Sequence, residues 1–259
     1  MPGQDTASPR VGIVVPTLGS RPDYLRGTLT SLAAQREPTQ VVVVGPPNTI
    51  SLAREFGALY CPDPGGLSTA INQGVAALPA NVEFVSWLGD DDELTRDSVA
   101  ATLAVLDKNP RASACFGVCQ YVDASGEPVW ASRGRQLAPW IARFGPNLIP
   151  QPGSLIRRSA WEHVGGLDER LHYAMDLDLF LRLRRFGVIR STPQTVARFR
   201  WHPDSTTVSR RQDSLDEAFN IRKANSRPPA RWLVSMAYRP TVWATLMAAR
   251  QVEHRTVNA

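Results

Sequence analysis

The first 110 residues alternate between short β-branched runs and segments with apolar residues at helical spacing, such as Leu25, Leu29 and Leu32. The predicted strands are Val11–Val15, Val41–Val44, Ala58–Cys61 and Val82–Leu88, and the predicted helices cover residues 24–34, 67–78 and 95–107. Strands that alternate with helices are typical of βαβ units and a parallel sheet. Because ligands of such sheets bind beyond the carboxyl ends of the strands, we expect the chemistry of this protein there.

The pattern changes after Asn109-Pro110. Further strands are predicted at 112–122, 128–131, 154–156 and 196–200, and further helices at 136–144, 159–164 and 176–186. The remainder is basic and mostly helical. We interpret the chain as a polar tail (1–10), one domain (11–205) and a basic helical extension (206–259). The predicted fold class is α/β, with a Rossmann-like, mostly parallel sheet flanked by helices.

The composition indicates a folded protein without membrane spans. The 259 residues are 43% hydrophobic and 20% charged, which suits one or two globular domains and excludes a disordered chain. No apolar run reaches the ~18 residues that span a bilayer, and no apolar signal segment precedes the first strand. Three cysteines, an odd number, indicate a reducing compartment. We therefore expect a cytoplasmic protein.

The net charge of +5 comes from the last quarter of the chain, where residues 196–259 hold eleven Arg and Lys against five Asp and Glu. This region is expected to meet an anionic partner or simply to be solvated. Trp232, Met236 and Trp243 lie at helical spacing among its arginines. Such helices could lie on anionic lipid at the inner face of a membrane, or pack on the protein's own body or on a second copy in a homodimer. Aromatic-basic pairs are too few to predict nucleic-acid binding.

Three adjacent aspartates, Asp90-Asp91-Asp92, directly follow the predicted strand 82–88. Neighbouring carboxylates repel one another, and crowding at a sheet edge increases the repulsion. A divalent cation removes it, since Mg²⁺ and Mn²⁺ bind one or two carboxylates together with substrate phosphate oxygens. The sequence favours a metal site here. The alternative is a solvated acidic turn in which Asp92 or Thr95 caps the next helix.

Two further side chains could take part in chemistry. Asp176 precedes the apolar pattern of the helix 176–186, where a carboxylate either caps the helix or acts as a general base. Asp178 faces another side of that helix and can pair with Arg182. His202 follows the last predicted strand beside arginines, and it is either structural or a ligand of a metal or diphosphate.

In combination, these segments resemble inverting glycosyltransferases of family 2, which have the GT-A fold. The resemblance covers about residues 11–205 and rests on five motifs in order. They are Val14-Val15-Pro16-Thr17 with Arg21, Gly65-Gly66 through Asn72-Gln73-Gly74, Trp87-Leu88-Gly89-Asp90-Asp91-Asp92, Gln151-Pro152-Gly153 through Met175-Asp176, and His202-Pro203-Asp204-Ser205. The resemblance implies a nucleotide-sugar half at about 11–110 and an acceptor half at about 111–205.

The family's reaction moves a sugar from a nucleotide diphosphate sugar to an acceptor hydroxyl by a single displacement. By resemblance, Asp91 and Asp92, with Asp90 and His202, would hold Mn²⁺ or Mg²⁺ against the diphosphate, where the cation stabilises the leaving charge. Asp176 would be the general base. The implied donor-binding residues are Pro16, Thr17, Arg21, Gly45, Asp63, Asn72, Asp90 and Asp91. The implied residues for the acceptor or sugar are Trp87, Gln151, Met175 and Arg200.

Some positions depart from the family pattern. Val44-Gly45-Pro46-Pro47 stands where an aspartate often reads the nucleotide base, so UDP-, dTDP- and GDP-linked donors all stay open. Met175 stands where a glutamate often precedes the base. The resemblance implies hexosyl or deoxyhexosyl transfer to a cell-envelope glycan, a lipid-linked acceptor or another glycoconjugate. Two alternatives stay open: a non-catalytic relative that binds nucleotide sugars, and a sugar nucleotidyltransferase.

Overall fold

The computed structural model describes residues 8–123, 125–132, 137–200 and 211–257. Their strands are β1 (Val11–Pro16), β2 (Thr39–Gly45), β3 (Leu59–Pro62), β4 (Phe84–Trp87), β5 (Glu93–Leu94), β6 (Ala112–Val122), β7 (Pro128–Ala131), β8 (Leu155–Arg157) and β9 (Val188–Arg200). Their helices are α1 (Pro22–Ala33), α2 (Ile50–Glu55), α3 (Leu67–Ala76), α4 (Ser98–Lys108), α5 (Ala138–Ile141), α6 (Arg158–Val164), α7 (Met175–Phe186), α8 (Arg211–Ala224) and α9 (Pro228–Val257).

The strands form one sheet in the order β3-β2-β1-β4-β8-β6-β9-β5, and β7 pairs with β6. β1 pairs in parallel with β2 and β4, and β2 pairs in parallel with β3. Ile13 and Val15 of β1 belong to the buried cluster that holds the leucines of α1, whereas Val14 belongs to the cluster that holds residues of α3. Because both faces are covered, these strands are continuous apolar runs. The predicted α/β fold class is confirmed.

Glycines bring α3 close to the sheet. A Cβ at Gly74 would lie 2.4 Å from Cγ1 of Val14, closer than real side chains approach. The turn before α3 holds Gly65 and Gly66 at φ values of 85° and 88°, a region that favours glycine. The three glycines of the motif from Gly65 to Gly74 are therefore explained by backbone geometry and packing.

The second half of the sheet contains antiparallel pairs. β8 lies between β4 and β6 and is antiparallel to both, whereas β9 is parallel to β6. β9 begins at Val188, eight residues before the predicted start at residue 196. The prediction missed this part because its residues are mostly exposed and polar and lack an apolar pattern. The predicted helix at 136–144 is described only as Ala138–Ile141. β5 and α2, with two and six residues, are too short to be predicted from periodicity.

In the part of the C-terminal extension that the structure describes, residues 211–257, the helices are α8 and α9. Val234 and Thr241 of α9 are buried, and the Thr241 hydroxyl donates to the carbonyl of Phe144 (3.3 Å). Part of α9 therefore packs on the body of the protein. Among the helices that the structure describes, none has a stretch that is long and apolar enough to cross a membrane. The three cysteines are free thiols.

Candidate active site

The three predicted metal-binding aspartates lie in the turn between β4 and β5, beyond the carboxyl end of β4. The side chain of Asp92 is almost completely buried (4% exposed) and accepts the backbone N–H of Arg200 at 3.1 Å. The Asp90 carboxylate accepts the hydroxyl of Thr17 at 2.5 Å. Burial raises the pKa of Asp92 well above its ordinary value, and the charge of Asp91 raises it further. Ionising such a carboxylate is unfavourable unless a cation compensates its charge.

Gly89 leaves a small space that two carboxylates border. A Cβ at Gly89 would lie 3.0 Å from Oδ1 of Asp91 and 3.1 Å from Oδ2 of Asp92. Mg²⁺ commonly binds one or two carboxylates and completes its shell with water and substrate phosphates, so the two side chains fit such a cation. Within the described ranges, no three His, Cys, Asp or Glu side chains are grouped to hold a metal ion by themselves.

Two arginines contact this acidic turn. Arg21 forms an ion pair with Asp91 at 3.6 Å. The Arg200 guanidinium donates to the carbonyl of Asp91 at 3.3 Å, pairs with Glu93 at 3.3 Å and lies 4.9 Å from the ring centroid of Tyr24. Arg200 therefore stabilises the acidic turn, a role that the sequence did not indicate. Its predicted contact with an acceptor stays a prediction.

The turn does not have the capping role that was the alternative. The N-cap residue of α4 is Asp97, and no side chain caps that helix. The buried Thr28 of α1 instead donates its hydroxyl to the carbonyl of Asp92 at 2.8 Å. The acidic turn is thus held by α1, by Thr17 after β1 and by Arg200 at the end of β9.

Predicted donor-binding residues lie together where β1, β2 and β3 end. Pro16 is paired with Val44 in the sheet, and a Cβ at Gly45 would lie 2.7 Å from Cγ2 of Thr17. The backbone N–H of Asp63 donates to the carbonyl of Gly45 at 3.1 Å. Thr17 also bonds Asp90 of the acidic turn, which follows β4. The carboxyl ends of β1, β2, β3 and β4 therefore border one region.

Asp176 is the second residue of α7, and the N-cap of that helix is Ala174. The Asp176 carboxylate accepts the backbone N–H of Leu177 at 2.7 Å and the side-chain amide of Asn147 at 3.0 Å. Burial raises the pKa of Asp176 to about 6, although these hydrogen bonds and the charge of Arg222 lower it. A partly buried carboxylate with such a pKa is suited to accept a proton near neutral pH.

One short segment, residues 147–151, contacts both Asp176 and the strand that leads into the acidic turn. Asn147 donates to Asp176, and Gln151 donates its side-chain amide to the carbonyl of Trp87, the last residue of β4, at 2.7 Å. Four Cα–Cα steps span at most ~14 Å. The residue that bonds the Asp176 carboxylate is therefore near the end of β4, which leads into the acidic turn.

Tyr121 of β6 interacts electrostatically with both acidic sites. Its pKa is raised by burial first, then by Cys119, and then by the charges of Asp92 and Asp176. The Tyr121 ring packs on Phe199, with centroids 5.3 Å apart. One phenol is therefore within electrostatic reach of both carboxylates.

Three other predicted site residues have structural contacts. The Trp87 indole packs edge-on against Trp161 in the core, with centroids 6.1 Å apart. Met175 is buried. The Asn72 side chain exchanges two hydrogen bonds with the backbone of Leu167, at 2.9 and 3.0 Å. Their predicted contacts with donor or acceptor stay predictions, and His202 lies outside the described residues.

Thr28, Asn147 and Arg222 were not predicted as site residues. None of them lies in a recognisable motif, and each comes from an element far along the chain from the aspartate that it serves. The predicted pair of Asp178 and Arg182 is confirmed at 2.7 Å. For Arg222, the one available signal was its place beside Ile221 in an amphipathic pattern, which predicts burial but no partner.

A cavity of about 400 Å³ lies elsewhere, lined by Glu83, Arg157, Arg158 and Glu162 among others. Glu83 immediately precedes β4, whereas the acidic turn follows it. The cavity is therefore at the amino end of the strand, opposite to the edge where parallel sheets bind their ligands.

Comparison with known proteins agrees with this geometry. Two solved structures with a similar fold are the mannosyltransferase PcManGT from Pyrobaculum calidifontis in complex with GDP-Man and Mn²⁺ (TM-score 0.67, 19% identity, covering 95% of this chain and 76% of that one) and S. aureus TarS 1-349 in complex with UDP-GlcNAc (TM-score 0.63, 17% identity, 83% and 66%). Two uncharacterized glycosyltransferases, of Rickettsia typhi and Rickettsia prowazekii, are each 24% identical over 230 and 220 residues, covering 83% and 79% of this chain and 70% and 68% of theirs.

The α/β sheet thus has the GT-A fold of these glycosyltransferases. The model of the family described as glycosyl transferase family 2 matches residues 12–165. The chain belongs to this family.

Proposed function

We propose that the protein is a metal-dependent, inverting glycosyltransferase in which Asp176 is the general base. The segment 147–151 carries this proposal, because it bonds the Asp176 carboxylate at one end and, at the other, the end of β4 that leads into the acidic turn. A donor held by the turn and an acceptor held near Asp176 would then meet in one cleft. Direct attack by the acceptor hydroxyl from the side opposite the leaving diphosphate inverts the anomeric centre.

The acidic turn is proposed to hold Mn²⁺ or Mg²⁺ through Asp91 and Asp92, with Asp90 and His202 as further candidates. The cation would stabilise the negative charge of the departing nucleoside diphosphate. The space beside Gly89 and the unfavourable ionisation of the buried Asp92 support this assignment. The two solved relatives bind GDP-Man with Mn²⁺ and UDP-GlcNAc, and a UDP-, dTDP- or GDP-linked sugar is the proposed class of donor here.

Asp176 is proposed to take the proton of the acceptor hydroxyl as the new bond forms. A pKa of about 6 leaves most of the carboxylate ionised at neutral pH while keeping it more basic than an exposed aspartate. The Asn147 amide orients one carboxylate oxygen and the Leu177 N–H the other. The proposed acceptor is a cell-envelope glycan, lipid-linked sugar or glycoconjugate.

We further propose that α9 contacts an anionic membrane surface. Trp232, Met236 and Trp243 are well over half exposed and share one face of the helix with the exposed Arg239. Large apolar side chains beside cations are typical of interfacial helices. Flotation with vesicles of anionic or neutral lipid should show binding to the anionic vesicles, which replacing both tryptophans with serine should abolish. Leu18→Ser, which removes an exposed apolar side chain elsewhere, is the control, and equal recovery of all three proteins would contradict the proposal.

The transferase proposal is tested with a panel of sugar nucleotides. Thermal unfolding with and without Mn²⁺ identifies the donor, because a ligand that binds only the folded state raises its stability. NMR of the transfer product then gives its anomeric configuration. Inversion and a requirement for a divalent cation are expected. Retention would refute the single displacement, and donor binding without any transfer to a range of acceptors would favour a non-catalytic relative. Pyrophosphate released from a nucleoside triphosphate would indicate a nucleotidyltransferase.

A further inference from the structure

Helix α8, in the C-terminal extension, reaches the segment that carries Asp176. The Glu217 carboxylate accepts three consecutive backbone N–H groups, those of His172 (2.9 Å), Tyr173 (2.7 Å) and Ala174 (2.7 Å). Ala174 is the N-cap of α7, two residues before Asp176. One side chain of α8 thus binds the whole approach to the helix that holds the proposed base.

These N–H groups need an acceptor that the local sequence does not supply. The first turn of a helix leaves backbone donors without intrahelical partners, and the same end carries a partial positive charge. His172 and Tyr173 precede α7 and Ala174 is its N-cap, so an acceptor outside this helix is needed to satisfy their N–H groups. The Glu217 carboxylate does so from another helix, with charge-assisted hydrogen bonds that are about twice as strong as neutral ones. A change in the backbone conformation of residues 172–174 would therefore break hydrogen bonds to Glu217.

A second residue of α8, Arg222, is close enough to Asp176 to interact with its charge. Arg222 is 6% exposed, and its Nε donates to the carbonyl of Ala142 at 3.1 Å. Burial lowers the pKa of Arg222 to about 10, which the charge of Asp176 partly offsets. Arg222 is therefore cationic at neutral pH and favours the ionised form of Asp176. In the described parts of the chain, the other groups around Asp176 are the Tyr121 phenol and the Asn147 amide.

From these contacts we infer that α8 is part of the active site. Glu217 is a positioning residue that fixes the backbone just before Asp176, and Arg222 favours the ionised form of the Asp176 carboxylate. This inference rests on the proposed role of Asp176 as the base. It makes the C-terminal extension necessary for transfer, whether or not α9 meets a membrane.

A pair of neighbouring substitutions on α8 tests the role of Glu217. Glu217→Gln removes the charge and one acceptor oxygen from the segment before α7. Asp216→Asn removes one negative charge from the same helix but alters only the contacts to Tyr238 and Gln212. Glu217→Gln should lower kcat by about 10- to 100-fold, since small displacements of a catalytic group have effects of this size. The KM for the donor should change little, and Asp216→Asn should keep kcat close to that of the wild type.

Arg222 is tested by the pH profile, which a purely structural role would not move. Arg222→Met should shift the acid limb of transfer to higher pH by roughly half a unit or more, because an opposite charge nearby lowers a carboxyl pKa. Arg222→Lys, which keeps the charge, should restore the limb. This pair also carries the test if Glu217→Gln does not fold, as judged by donor binding and thermal unfolding.

The outcomes separate this inference from the function on which it rests. If Asp176→Asn retains transfer, the proposed base is wrong and the inference fails with it. If Asp176→Asn is inactive while Glu217→Gln behaves like Asp216→Asn and the Arg222 variants share the wild-type pH profile, the inference alone is overturned.

Discussion

The pKa of Asp176 makes the pH dependence of transfer the sharpest prediction. With a pKa of about 6, about one tenth of the carboxylate is ionised at pH 5 and about nine tenths at pH 7. If the ionised form is the base, kcat/KM for the acceptor should rise about tenfold between these pH values. An exposed aspartate, with a pKa near 3.9, would give almost no change over the same range.

The same pKa predicts an effect on stability, with a definite sign. A carboxyl group whose pKa is raised by folding binds its proton more tightly in the folded state, so its ionisation destabilises the fold. The cost is absent below about pH 4 and complete above about pH 6, where it reaches up to about 3 kcal/mol for a shift from 3.8 to about 6. Asp176→Asn removes this pH-dependent cost. The free energy of unfolding of the variant, relative to wild type, should therefore rise between pH 4 and pH 7.

Constant losses do not affect this test. The asparagine cannot accept all the hydrogen bonds of the carboxylate, which lowers the stability of the variant by a similar amount at each pH. The attraction between Arg222 and ionised Asp176 does vary with pH, but it is already included in the pKa of about 6. The difference in the free energy of unfolding between variant and wild type still changes with pH only through the ionisation of Asp176. The assays are transfer at saturating donor and Mn²⁺ from pH 5 to pH 8, and urea unfolding at pH 4, 5.5 and 7. Asp178→Asn on the same helix, which breaks the pair with Arg182, should keep the acid limb. A flat kcat/KM in the wild type would refute the reasoning.

Three further substitutions test the metal turn and the fold. Asp92→Ala should weaken donor binding in the presence of Mn²⁺ but change it little without the cation, as measured by calorimetry; an unchanged response to Mn²⁺ would exclude Asp92 as a ligand. Gly89→Ala places a methyl group 3.0 to 3.1 Å from two carboxylate oxygens, so it should raise the Mn²⁺ concentration needed for half-maximal transfer by about tenfold, or roughly 1.4 kcal/mol, while thermal unfolding of the free protein changes little. Gly74→Ala drives a methyl group into Val14 and should destabilise the protein by about 1–3 kcal/mol in urea unfolding; wild-type stability would show that α3 can move away from the sheet.

The sequence was sufficient wherever the information is local. Apolar runs such as Val11–Val15 predicted the parallel strands, because a strand covered on both faces needs apolar residues throughout. The order of motifs from Pro16 to Asp176 predicted the glycosyltransferase fold and family that the comparisons confirmed. The start of β9 was missed, since its exposed polar residues follow no period and are held by pairing with β6.

Tertiary structure alone decided which side chains surround each aspartate. Asn147 donates to Asp176 from 29 residues earlier in the chain, and Arg222 lowers the pKa of Asp176 from a later helix. Glu217 binds the segment before α7 across more than forty residues of chain. No periodicity encodes such contacts, because they depend on how helices and loops pack once they have formed. The pKa of Asp176 also depends on the tertiary structure. An aspartate in an unfolded chain has an ordinary pKa, and only burial in the folded protein raises that pKa to the range of a general base.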